Sequence, residues 1–398
     1  MLLKTFFESV ELHRDDKFVS LRFRRPFKVL STSASNGGLA DDLDIVFNHQ
    51  CCEAMGHEMH QLMKAHRHPA IYDSLLLTEH DLAAATAAGL GTAANMNNLC
   101  IAEEQFRDLA VAAIATGGVD GNAARAGDPS SYYEFSGVFE RFGPIGPDQH
   151  GTINVMLVIN TPVSDGALVR AVMTATEAKT ALLQELSAPS RQSSQIATGT
   201  GTDQIAVMAP ADGPLELTSA GHHSKLGELI GRTVHRAVKD TLALQNGLTP
   251  IRQSSCARLL ERFGCQPDTL FEEISRRLPA AIAALARQND HDLDRDPLTV
   301  AAVAALVHLH DQLSWGLLPQ ACWPDIACRH GAHIAIAVAG RTERYTDYCN
   351  QLASTSGIYE PSNLATLVAT ALAMGFIDKW DKTLMRLDNV VTTSGSAE

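Results

Sequence analysis

No C-x-x-C pair occurs among the eight cysteines, so zinc ribbons and thioredoxin-like redox motifs find no support. Scattered thiols of this kind suit a reducing, cytoplasmic setting. No apolar run reaches the ~18–20 residues needed to span a bilayer. The longest, 298–307 and 364–377, both fall short. The start lacks an apolar stretch with a small-residue cleavage pattern, so no secretory signal is expected. Basic residues are in deficit: 32 Lys and Arg stand against 45 Asp and Glu, for a net charge of −13. That balance disfavours nonspecific binding to nucleic acid or anionic membranes, which needs clustered cations. His57-Glu58-Met59-His60 falls one residue short of the H-E-x-x-H spacing. His66 and His68 add imidazoles nearby, which leaves an opportunistic metal site as the minor alternative, but no protein-bound metal or other cofactor is expected.

What is there reads as globular, with 45% hydrophobic and 19% charged residues over 398 positions. The length favours two domains. Short β-type runs at 10–13, 18–23 and 27–30 come first, with Arg14 to Asp16 as a turn. Further strands are expected at 43–47, 109–115, 151–160 and 205–208. Thr78 is read as the cap of an Ala- and Leu-rich helix. Ser164 opens a helix over 165–186, and a second amphipathic helix fills 224–244. Residues 246–250 (NGLTP) form a linker by composition. Beyond it, 255–262, 270–288, 299–317, 324–339 and 364–378 look helical, and 392–398 reads as a frayed tail. The predicted fold class is α/β, a mixed sheet with flanking helices over 1–246, plus a mainly α-helical domain of unassigned role over 251–398.

Polar and glycine residues cluster at the ends of several apolar runs, where ligand sites gather. Residues 31–38 (STSASNGG) form a small-residue loop around Asn36. Residues 116–129 (TGGVDGNAARAGDP) offer Asn122, Arg125 and Asp128; an ordinary turn is the plain alternative. Thr198-Gly199-Thr200-Gly201-Thr202-Asp203 alternates glycine and threonine, which brings backbone close to a bound group and lines it with hydroxyls. It lacks Gly-Lys-Ser/Thr, and Gln204 breaks a G-x-G-x-x-G pattern, so a phosphate loop is disfavoured. His222 and His223 precede Ser224, Lys225 and Glu228 at a helix start, whose free amides favour an anion or oxyanion. On the earlier helix, Arg170, Thr174 and Glu177 share one face. Glu177, set among Ala and Thr, is expected to be partly buried and so suited to acid–base work. An exposed Glu–Arg face is the plainer reading. Cys51-Cys52 reads as a buried pair, and His308 and His310 as structural.

In this order the segments GTINVMLVIN, ALVRAVMTATEAKTALLQEL, ATGTGTDQI and HHSKLGELIGRTVHRAVKDTL closely resemble the adenosylcobinamide amidohydrolase family. LSTSASNGG and GNAARAGD fit the same family, and the resemblance covers about 25–245. It implies cleavage of the aminopropanol amide of adenosylcobinamide, or of a related cobamide, to adenosylcobyric acid in corrinoid salvage. The cobalt then belongs to the corrinoid substrate, and homo-oligomerisation is left open. A non-catalytic corrinoid-binding or regulatory protein on the same fold is the alternative.

Amide hydrolysis needs a nucleophile, an oxyanion site and a proton for the leaving amine. No cysteine lies between Cys100 and Cys256, so a thiol nucleophile is not expected. Water activated by Asp203, Glu177, His222 or His223 is favoured, with a loop threonine as the other option. Asn36, Asn122, Arg125, Asp128, Thr198, Gly199, Thr200, Gly201, Thr202, Lys225 and Glu228 are the expected substrate contacts. Asp203 and His223 are expected to face one cleft.

Overall fold

A computed structural model describes residues 1–52, 69–136, 138–142, 150–355 and 357–380. The chain forms two compact units, Met1–Leu248 and Thr249–Glu398. The cluster His57 to His68 and the 392–398 tail lie outside the described residues.

In the first unit the strands are β1 (Leu2–Phe6), β2 (Val10–Asp15), β3 (Phe18–Phe23), β4 (Phe27–Ser31), β5 (Gly38–Ala40), β6 (Ile45–Gln50), β7 (Ala87–Thr92), β8 (Cys100–Phe106), β9 (Leu109–Thr116), β10 (Ala123–Ala124), β11 (Tyr132–Phe135), β12 (Val138–Arg141), β13 (Asn154–Ile159), β14 (Gly199–Thr200) and β15 (Gln204–Pro210). The helices are α1 (Pro69–Glu79), α2 (Asp165–Glu185) and α3 (Lys225–Asn246). One sheet has the order β1-β2-β3-β6-β7, the other β5-β4-β15-β13-β9-β8. Only β6–β7 and β13–β15 run parallel within them.

Strand alternation builds four layers. From β9, Ala112 and Ile114 face the first sheet, while Val111, Ala113 and Ala115 face the helices. β13 and β15 divide in the same way. With both faces covered, these strands read as near-continuous apolar runs. α2 and α3 pack on the outer face of the second sheet through Leu168, Leu182, Leu229, Val234 and Leu242. α1 covers the outer face of the first through Tyr72, Leu76 and Leu77. Ser164 and Ser224 cap α2 and α3 by accepting from the amides of Ala167 and Gly227, and Gly247 ends α3 at φ 62°.

Two expectations in this unit need correction. Thr78 does not start a helix; it lies in the last turn of α1, and its hydroxyl donates to the Ser74 carbonyl at 2.7 Å. The Ala-rich stretch after it divides into a 3-10 turn, Ala84–Thr86, and the start of β7, because burial between two layers outweighs alanine's helix preference. β2 also runs on to Asp15, leaving Asp16, at φ 48°, in the turn. β1, β7 and β8 were not foreseen.

Among the described residues of the second unit there are helices and no strands: α4 (Pro250–Gln253), α5 (Cys256–Leu260), α6 (Pro267–Arg276), α7 (Ala280–Gln288), α8 (Asp290–Arg295), α9 (Pro297–Ser314), α10 (Trp323–Ala339), α11 (Tyr345–Ala353) and α12 (Leu364–Lys379). The single helix expected over 270–288 is broken, because Pro279 lacks an N–H and bars its neighbour from the helical region. His310 is indeed structural. It meets Phe263 and Trp323 edge-on, its Nε2 lies 3.0 Å from the Pro361 carbonyl, and burial lowers its pKa. The buried Arg262–Asp311 ion pair lies beside it.

Candidate active site

Between the two sheets the inward side chains change character along each strand. β4 runs Phe27, Val29, Ser31; β6 runs Val46, Asn48, Gln50; β7 runs Ala88, Leu90, Thr92; β9 runs Ala112, Ile114, Thr116. β13 and β15 start polar, at Asn154 and Gln204, and continue apolar. The register pairs Asn154 with Thr116 and with Gln204, and Gln50 with Thr92, so these polar residues meet at one end of the sandwich. Burying polar groups costs free energy unless they are bonded, and here they bond to one another. Asn48 Nδ2 donates to Thr116 Oγ1 at 2.9 Å. Asn154 Nδ2 donates to Asn48 Oδ1 at 3.0 Å and to the Gly91 carbonyl at 2.9 Å. The Gly91 amide donates to Gln204 Oε1 at 2.7 Å. Two buried atoms in this mouth, Asn154 Oδ1 and Ser31 Oγ, have no hydrogen-bond partner among the described residues.

The Gly/Thr loop sits at the same end. Asp203 Oδ1 accepts from the Ile153 amide at 2.9 Å and from Thr200 Oγ1 at 2.5 Å. Its Oδ2 accepts from the Thr200 amide at 3.0 Å and pairs closely with Lys179. A carboxylate has about four acceptor positions, and all are occupied. Glycine is required at 199, because a Cβ there would lie 2.5 Å from Asp203 Oδ2. At 201 a Cβ would lie 3.0 Å from Asn122 Oδ1. Asn122 Nδ2 donates to the Gly151 carbonyl at 3.0 Å and to Thr202 Oγ1 at 3.2 Å. Thr202 and Thr152 hydroxyls lie 2.5 Å apart. Thr198 Oγ1 accepts from the Ala126 amide at 2.8 Å. Asp128 accepts from the Arg125 amide at 2.8 Å and from Ser190 at 2.6 Å. Burial alone would raise its pKa, but bonds from Ser190, Ser193 and the Arg125 amide outweigh that and hold it low. The Arg125 guanidinium donates to the Ile196 carbonyl at 3.2 Å. Asn36, at φ 55°, donates to the Ala87 and Ala84 carbonyls at 2.8 and 3.0 Å.

The remaining candidates lie on the helical face. Glu177 and His222 pair at 2.8 Å with side chains about half exposed, 48% and 58%, so Glu177 is less buried than expected. They line a groove of about 710 Å³ between α2 and α3, with Glu104, Glu228, Arg232 and His235. Lys225 pairs closely with Glu228, whose pKa that contact lowers, and lies 4.5 Å from the Phe106 ring centre. His223 lines a cavity of about 490 Å³ with Arg170, Ser219 and Ser224. Glu177 and Lys179 leave α2 roughly 200° apart, which turns the His222 pair away from the Asp203 pair. The C-terminal end of α3 reaches the mouth, where Thr241 Oγ1 accepts from Gly117 N and Asn246 Oδ1 from Val119 N, both at 3.1 Å. His222 and His223 precede its other end, and 22 helical residues span about 33 Å. Asp203 lines neither the cavity at His223 nor the groove.

The profile of adenosylcobinamide amidohydrolases matches residues 3–250. The chain belongs to this family. The family match starts ahead of the 25–245 resemblance and so takes in the first sheet. An uncharacterized protein of Methanocaldococcus jannaschii is 33% identical over 237 residues, which is 58% of this chain and 88% of that protein. A Pyrococcus horikoshii OT3 protein of known crystal structure aligns with a TM-score of 0.29 and 11% identity, over 60% of this chain and 78% of that one. No described helix is long and apolar enough to cross a membrane.

Within this amidohydrolase-family unit, sequence reasoning gave no role to Asn48, Thr116, Asn154, Thr152 or Lys179, although Thr116 heads the 116–129 loop it singled out. A usable signal exists for the first three: at one end of the sandwich the inward positions of buried strands change from apolar to polar. Cys51 lies on the α1 side of the first sheet, 3.6 Å from the Tyr72 hydroxyl, and burial pushes its thiol pKa up. That keeps the thiol neutral.

Proposed function

We propose that the chain hydrolyses the aminopropanol amide of adenosylcobinamide, or of a related cobamide, to adenosylcobyric acid, and that the amide reacts at the mouth. One observation carries the location: six strands from both sheets turn polar at the same end, directly beneath the Gly/Thr loop. Ligand sites in layered α/β proteins gather at strand ends, where loops present several groups to one point.

Asp203 is the base in this reading. Its carboxylate already receives the Thr200 hydroxyl at 2.5 Å, the relation of a base to a nucleophile. Lys179, against the other carboxylate oxygen, is placed to return a proton to the leaving amine. Thr200 attacks the carbonyl carbon, its proton passes to Asp203, the C–N bond breaks, and water hydrolyses the ester. This departs from the preference for direct water attack drawn from sequence; the 2.5 Å bond from the Thr200 hydroxyl to Asp203 supports the threonine route.

Purified protein is incubated with adenosylcobinamide without ATP, and the products are followed by mass. Release of adenosylcobyric acid and aminopropanol is expected, with an acylated Thr200 peptide on rapid quenching. Strict ATP dependence, or binding of cobinamides and cobamides without turnover, would overturn the hydrolase reading. Turnover with no acyl-enzyme would return the attack to water.

A further inference from the structure

The mouth holds a directional chain of amides. Asn48 Nδ2 donates to Thr116 Oγ1, which leaves Asn48 Oδ1 facing Asn154 as an acceptor. Asn154 must then turn its NH₂ towards Asn48, and its second hydrogen goes to the Gly91 carbonyl at 2.9 Å. Both donors are committed, and the flip of the side-chain amide is fixed by its neighbours. What remains is Oδ1, an acceptor on a residue only 1% exposed, with no partner among the described residues. Buried acceptors of this kind are rare in folded proteins.

An unpaired acceptor selects a donor. Carboxylates and phosphates have none to offer; an amide N–H has. Gly91 is tied by its amide to Gln204 and by its carbonyl to Asn154 itself, so the cradle is fixed on both sides. Asn154 begins β13, three residues after Gly151, whose carbonyl binds Asn122 and Thr202. The acceptor is thus tied to the same loop system as Thr200 and Asp203.

We propose that Asn154 is a positioning residue that accepts the N–H of the scissile amide at Oδ1. This rests on the amidohydrolase reading above. The contact orients the amide plane at the mouth, and the Gly91 carbonyl and Asn48 keep the acceptor aimed. An ester, which has no N–H, loses that contact.

The test compares affinity for adenosylcobinamide with that for its ester analogue, in which oxygen replaces the scissile N–H, using the full chain. Wild type is expected to bind the amide about tenfold better, the scale of one buried hydrogen bond. Asn154→Ala and the milder Asn154→Ser should bind both ligands equally. Thr116→Val, which disturbs the chain without removing Oδ1, should lower thermal stability but retain most of the discrimination. Parallel loss of both ligands in folded Asn154 variants, or unchanged discrimination, would overturn the assignment and leave Asn154 a structural residue. Turnover is measured separately. Amide-selective binding without turnover would defeat the hydrolase reading and leave the Asn154 contact standing. Failure of wild type to bind adenosylcobinamide would defeat both.

Discussion

The strand-end mouth and the α2–α3 groove both hold carboxylates beside cations, in opposite settings. In the groove, Glu177–His222, Glu185–His235 and Glu228–Arg232 all have at least one partner largely in water. Exposed pairs of that sort contribute about 0–1 kcal/mol and need no function to explain them. In the mouth, Asn48, Asn154 and Thr116 are withdrawn from water, where apolar residues would continue the core at lower cost. A motif that looks reactive in sequence can be a solvated helix face, and a plain asparagine can be the costlier and more informative residue.

The sharpest way to break this comparison is substitution on both sides of it. Asp203→Ala is expected to lower turnover by about 10²-fold or more, the scale of a lost general base. His222→Ala, His223→Ala and Glu177→Gln should each cost less than about tenfold, because none of them touches the reacting amide. The reverse pattern in steady-state rates would move the chemistry to the groove and reinstate the histidines as its acid and base.

Glycine at 199 gives the next largest effect. An added Cβ would approach Asp203 Oδ2 to 2.5 Å and Lys179 Nζ to 3.1 Å, so Gly199→Ala must shift the carboxylate. Turnover is expected to fall by about 10- to 100-fold, as for small misplacements of catalytic groups, with the melting temperature changed by only a few degrees. Normal rates in a folded Gly199→Ala protein would show that the loop tolerates displacement.

A comparison of the two units follows. Both cores are self-contained, one between and around the sheets and the other among α5 to α12. A chain ending near Gly247 should fold and retain activity on adenosylcobinamide within about tenfold, since ~250 residues suffice for a stable core. Aggregation, or a soluble but inactive product, would tie the helical unit to the site.

The smallest effect concerns Asp128. Its folded pKa is held below the unfolded value, so its contribution is complete above the ordinary carboxylate range and is lost as pH falls through the depressed folded value. Asp128→Asn should therefore flatten the acid limb of a melting-temperature profile and leave the neutral region nearly parallel to wild type. Identical acid limbs would mean that Ser190 and the Arg125 amide bind either form equally.

Much of the scaffold was legible because it rests on local rules. Leu226, Leu229, Ile230, Val234, Ala237, Val238 and Leu242 were read as one face from their spacing, and all are buried. Ser164 and Ser224 were read as helix starts, and both cap. The strands at 18–23, 109–115 and 205–208 were found as short apolar or β-type runs of strand length. β7 was not, because alanine and glycine carry no strand signal and only burial between two layers made it one.

By itself the sequence determined the family, the two-part division of its composition, the helix caps and the loops that must hold glycine, since each depends on residues near one another in the chain. Only the tertiary structure decided which polar residues belong together. Asn48, Thr116 and Asn154 lie far apart in sequence and are joined by strand register, which side-chain chemistry alone does not encode. It likewise set His223 at one end of a helix about 33 Å long and the mouth at the other. Glu177 and Lys179, two residues apart on α2, leave that helix in opposite directions and pair with His222 and Asp203.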